Sequence, residues 1–149
     1  MKQLKFVVSL FTFLTFMACP YLDYQKSFIF SNNSDRDVYI YLGVASRELG
    51  GSLYPDTAIA EVKCGEPYKK GDSRQYCYNY ENDLDTLCLF IFDADTFNTY
   101  SWEEIKYGYK ILQRYDISHE NIKNLKFNIS YPPTGAMKNM KMYPPYGSE

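Results

Sequence analysis

Apolar residues in this chain cluster most densely at Leu87–Phe92. Leu87, Leu89 and Ile91 fall on one face of an extended strand, and Cys88, Phe90 and Phe92 fall on the other. Both faces are apolar, so the strand is expected to be covered on both sides. Asp93-Ala94-Asp95-Thr96 follows with side chains suited to a turn. Ser101 and Glu104 then match the S-x-x-E capping box. Trp102, Ile105, Tyr109 and Leu112 recur at spacings of three and four, predicting one helical stripe laid on the neighbouring sheet. Gly108 inside that helix costs about 1 kcal/mol relative to Ala.

The remaining pattern is mostly of period two. Ser27–Asn32 predicts a first strand with Phe28 and Phe30 on one face, and Asn32-Asn33-Ser34-Asp35 a turn. Val38, Ile40 and Leu42 alternate with Tyr39 and Tyr41, a second strand that would close a hairpin with the first. Gly43 to Asp56 is a long loop, Thr57–Cys64 a third strand and Arg74–Tyr80 a fourth, with Leu87–Phe92 the fifth. Ser118 is a cap for a short helix, His119–Asn124. Leu125, Phe127, Ile129 and Tyr131 alternate with polar neighbours as a sixth strand. Pro132-Pro133-Thr134-Gly135 turns the chain, and Lys138–Met142 pairs back as a seventh. The expected fold is mainly β: an antiparallel β-sandwich or open barrel with two short helices inserted between the fifth and sixth strands.

The N-terminus follows another rule. Lys2 and Lys5 precede an uncharged run from Phe6 to Met17, shorter than the about 20 residues of a spanning helix and suited to a signal peptide. Leu14-Thr15-Phe16-Met17-Ala18-Cys19 resembles a bacterial lipobox, with Phe16 where Leu is usual. Residues 1–18 then form a lipoprotein signal peptide, 19–26 an acylated anchor and tether, 27–146 a single β-rich domain and 147–149 a tail. Each buried acyl methylene contributes about 0.8 kcal/mol, so several chains on Cys19 hold a domain firmly to a bilayer. Of 16 basic and 18 acidic residues, the leader removes two Lys and no acid, leaving a net charge of −4. That balance, with no Lys/Arg run, offers no electrostatic footprint for nucleic acid.

Cys64, Cys77 and Cys88 remain after Cys19. The turn-like centres at Lys70/Gly71 and Asn82/Asp83 allow Cys77 to oppose either neighbour. The Cys64–Cys77 disulfide is favoured, because Cys88 lies in a strand apolar on both faces. Three reduced thiols are the alternative. The spacings contain no C-x-x-C, and His119 is the single histidine, so neither zinc nor another cofactor is expected. No nucleophile elbow, phosphate loop or dinucleotide motif occurs, and no catalytic residue is assigned. All sixteen tyrosines lie beyond the leader. Tyr76, Tyr78 and Tyr80 share a strand face, and Tyr143 and Tyr146 lie near the C-terminus; these five are the candidate binding surface. Packing on half-buried strands is the competing use of the same residues.

The segments FIFSNNS, DTLCLFIFDADT, YSWEEI, RYDIS and FNISYPP…MKMYPPY, in that order, resemble the small uncharacterised envelope lipoproteins of Bacteroidetes. The resemblance covers most of residues 27–146 and implies an envelope location but transfers no catalytic residues. Acidic residues just after the lipid-bearing Cys often mark surface export in that phylum. Asp23 is the single acid in Pro20–Asp23, so an outer-membrane lipoprotein facing the periplasm is expected over one on the cell surface. The leading expectation is a non-enzymatic module binding an envelope protein or glycan. Its rival is a hydrolase acting on envelope glycan through an acidic cluster such as Asp83, Asp85, Asp93 and Asp95.

Overall fold

The computed structural model describes residues 26–45, 65–78 and 86–148. The described chain is mainly β, two sheets facing each other as a sandwich. The first sheet contains β1 (Lys26–Asn32), β3 (Ser73–Tyr78) and β6 (Asn128–Tyr131), in the order β3-β1-β6. The second contains β2 (Val38–Ala45), β4 (Thr86–Asp93), β5 (Gln113–Ile117) and β7 (Lys141–Tyr143), in the order β2-β4-β5-β7. All pairings in the second sheet are antiparallel, whereas β1 pairs antiparallel with β3 and parallel with β6.

The doubly apolar strand is the centre of the molecule. Leu87, Leu89 and Ile91 of β4 join Phe28, Phe30 and Ile129 of the opposite sheet in one buried cluster. Cys88, Phe90 and Phe92, on the other face, join Phe97 and Ile105 in a second cluster. The cover on that face is helical, from α1 (Ala94–Thr99) and α2 (Trp102–Tyr107). Trp102 packs against Phe92 and stacks on Phe97. Sheet, sheet and helices therefore form three layers, with β4 in the middle one.

Several expected elements change on folding. The first two strands form no hairpin, because Asn32 carries the chain from one sheet to the other. Its buried side chain donates to the carbonyls of Arg36 and Tyr68, at 2.7 and 2.8 Å, and accepts from Ser34. The acidic turn after β4 becomes α1, because Asp93 accepts from the Asp95 amide at 3.0 Å and caps a helix.

The Ser101–Glu104 capping box forms as expected, but α2 stops at Tyr107 with Gly108 as its cap. A Cβ at Gly108 would stand 2.6 Å from the Glu104 carbonyl oxygen, inside any real contact distance. Tyr109 then takes a left-handed φ of 49°. The helical stripe thus ends early, and β5 begins where Leu112 donates its amide to Ile91. That strand is absent from the sequence reading, because its alternation of Tyr115 and Ile117 with Arg114 and Asp116 is short and directly follows the stripe read as helix up to Leu112.

The third helix, α3 (His119–Asn124), carries the expected Ser118 cap, completed by Asn121. Lys126 and Phe127 follow with positive φ, so β6 starts at Asn128 rather than Leu125 and Phe127 is exposed. A single 3-10 turn, Gly135–Met137, redirects the chain, and β7 pairs with β5 instead of β6. The expected strand Thr57–Cys64 lies outside the described residues.

Candidate functional site

The four described tyrosines of the five candidates do not form one surface. Tyr78 is 5% exposed and packs against Phe28 at a ring separation of 5.8 Å. Tyr76 is half-buried, stacked on Phe28, with its hydroxyl hydrogen-bonded to that of Tyr68. Burial first, and then the Tyr68 contact, pushes the Tyr76 hydroxyl well above its usual range. Both residues point into the sandwich, because the face of β3 that carries them meets the face of β1 that carries Phe28. This corrects the expectation of a contact surface at Tyr78, whereas Tyr76 also lines a cavity of about 270 Å³ with Tyr39, Tyr41 and Arg74. Tyr80 lies outside the described residues. Tyr146 is 43% exposed, in a separate groove with Tyr131 and the four prolines Pro132, Pro133, Pro144 and Pro145.

Tyr143 is different. It is 54% exposed on β7, and its ring meets that of Tyr109 edge-on at 5.4 Å. The two rings wall a cavity of about 450 Å³ whose other lining residues are Arg114, Asp116, Lys141 and Met142. The size lies within the about 300–1,000 Å³ typical of small-molecule sites. Strand register assembles the charged part: Arg114 pairs with Tyr143 across β5 and β7, and Asp116 pairs with Lys141. Period-two alternation puts Arg114 and Asp116 on one face of β5, and Tyr143 and Lys141 on the matching face of β7. Tyr109 arrives from the loop after α2, turned by its left-handed backbone.

Asp116 is the anchor of this cluster and is 8% exposed. Arg114 donates to it twice, Nε to Oδ1 at 2.6 Å and Nη2 to Oδ2 at 3.1 Å. Lys141 Nζ lies 3.1 Å from Oδ2. Burial alone would raise the Asp116 pKa, but the hydrogen bonds from Arg114 and Lys141 outweigh it and hold the carboxyl below its ordinary range. Burial likewise opposes the Arg114 charge, and bonds to Asp116 and the Tyr109 side chain reverse that effect. The guanidinium also sits 5.5 Å from the Phe90 ring centre. One carboxylate against two cations leaves the cavity one positive charge in excess.

Cys88 borders this cluster, its Sγ 3.6 Å from Asp116 Oδ1. Burial, then the Asp116 charge, pushes the thiol up to about 11, so it is protonated and inert near neutral pH. Cys77 is a free, exposed thiol on β3 opposite Ser27. The expected partner Cys64 lies outside the described residues, as does Cys19. Cys77 and Cys88 do not oppose each other, because β3 and β4 belong to different sheets.

The acidic cluster is only partly visible, Asp83 and Asp85 lying outside the described residues. Asp93 caps α1 and pairs with Arg36 at 2.7 Å, and Asp95 occupies the first turn of the same helix. His119 opens α3 and is half-buried. Among the described residues no group of three or more His, Cys, Asp or Glu is placed to hold a metal ion.

Sequence reasoning reached Tyr143 but missed Tyr109, Arg114, Asp116 and Lys141. Their signal is the Arg-x-Asp spacing of RYDIS, which places both charges on one strand face, but that segment is legible only once it is known to be a strand. Comparison with family models, curated proteins and solved structures finds no match to this chain.

Proposed function

We propose that this chain is a lipoprotein of the cell envelope, held to the bilayer through acylated Cys19, and that its β-sandwich is a non-enzymatic binding module. The observation that carries the anchoring is the N-terminal order of Lys2 and Lys5, the uncharged run Phe6–Met17 and the pair Ala18-Cys19. The first described strand begins at Lys26, seven positions after Cys19 in the sequence. The proposed attachment is lipid on Cys19. The proposed placement is the outer membrane, with the domain facing the periplasm.

Binding is favoured over hydrolysis by how the described acids are used. Asp93 serves a helix cap and an ion pair, and Asp116 clamps two cations. A low carboxylate pKa suits a clamp and opposes the raised value that a general acid requires. The Tyr109–Tyr143 cavity is the proposed binding site, with an envelope protein or glycan as its partner.

The test is fractionation of cells making the wild type and Cys19→Ser. The wild type is expected in the membrane pellet, and the variant released and still folded. Retention of the variant in the pellet contradicts the lipid anchor.

A further inference from the structure

The cavity between β5 and β7 has features that narrow its ligand. Asp116 grips the mostly buried Arg114 through two bonds, and the exposed Lys141 reaches the same carboxylate. Neither cation is exhausted by that grip. A guanidinium has five N–H donors and an ammonium three. The Lys141 side chain is 81% exposed, so its remaining donors face the cavity mouth and water. Two tyrosine rings, packed edge to face on each other at 68°, form part of the lining, each with a hydroxyl. The cavity is open and wet, because Tyr143 and Lys141 are both exposed. A flat hydrophobic acid gains little in such a place, having no dry slot to fill. A sugar gains more, because its apolar face covers a tyrosine while its hydroxyls keep their water.

We propose that the cavity formed by Tyr109, Arg114, Lys141 and Tyr143 binds a carboxylated sugar, its carboxylate on Lys141 and Arg114 and its ring against the tyrosines. Asp116 is a positioning residue: it holds the cations apart and aimed, and touches no ligand. The inference rests on the reading of the domain as a binding module and adds the ligand class. It is independent of the anchor, which cell fractionation tests separately.

The experiment is titration of the full chain, purified in detergent micelles, with glucuronate, glucose and benzoate, followed by amide NMR. Glucuronate is expected to shift the amides of Arg114, Lys141 and Tyr143 saturably. Glucose, lacking the charge-assisted bonds, is expected to bind about tenfold more weakly. Lys141→Gln and Tyr143→Ala both alter exposed side chains and should each weaken glucuronate while leaving the spectrum otherwise dispersed as in the wild type. Glucuronate without effect on these amides overturns the proposal. So does glucose binding equally well, benzoate matching glucuronate, or unchanged glucuronate binding in both variants.

Discussion

Arg114 and Asp116, two residues apart on one face of β5, form a two-pronged ion pair, with Nε 2.6 Å from Oδ1 and Nη2 3.1 Å from Oδ2. Lys141 reaches the same carboxylate from the edge strand β7. The triad therefore joins the last strand of the second sheet to its neighbour through side chains as well as backbone.

A carboxyl whose folded pKa is depressed stabilises the fold above its unfolded value, about 3.9 for Asp, and loses that contribution as pH falls through the lower folded value. Asp116→Asn should therefore be less stable than the wild type at pH 7, and the gap should close as pH falls below about 4. Asp116→Ala, which leaves two cations without their anion, should cost about 3 kcal/mol at neutral pH. Urea unfolding of the three proteins between pH 7 and 3 measures both effects. A gap between wild type and Asp116→Asn that stays constant across the range contradicts the assignment.

Gly108 separates the propensity argument from the structural one. Helix propensity alone expects Gly108→Ala to stabilise the protein by up to about 1 kcal/mol. The observed backbone places the added Cβ 2.6 Å from the Glu104 carbonyl oxygen and 3.3 Å from Lys110 Cε. The backbone must shift to admit it, so destabilisation of about 1–3 kcal/mol is expected in thermal or urea melts. A rise in stability would mean that α2 does not end where it is observed to end.

Phe90 tests the middle layer. It is wholly buried between β4 and the helices, with Tyr41 at 6.3 Å between ring centres and the Arg114 guanidinium at 5.5 Å. Phe90→Ala should cost about 3–5 kcal/mol. Ile29 on the outer face of β1 is 41% exposed, and Ile29→Ala should change stability by about 0.5 kcal/mol or less. Denaturant midpoints give the comparison, and similar losses from the two substitutions would contradict the burial of β4 on both faces.

The sequence was most legible where burial alone decides structure. Leu87–Phe92 is apolar at every position, and it forms the doubly covered strand that this pattern requires. The capping boxes at Ser101 and Ser118 were equally legible, since each is a local exchange of hydrogen bonds. Pairing was not. Asn32 reads as a turn residue whether the chain reverses within a sheet or crosses to another, and its long-range bond to the Tyr68 carbonyl makes the difference. The cavity between β5 and β7 stayed hidden for a related reason. Arg114 and Asp116 look like loop residues until β7 supplies Lys141 and Tyr143 opposite them, and that pairing joins residues 25 or more positions apart.

The central claim is a lipid-held β-sandwich, and the most direct measurement is mass spectrometry of the mature N-terminal peptide from isolated membranes. The account predicts a chain beginning at Cys19 with acyl groups on that residue. An unacylated N-terminus on protein recovered from the soluble fraction would contradict it.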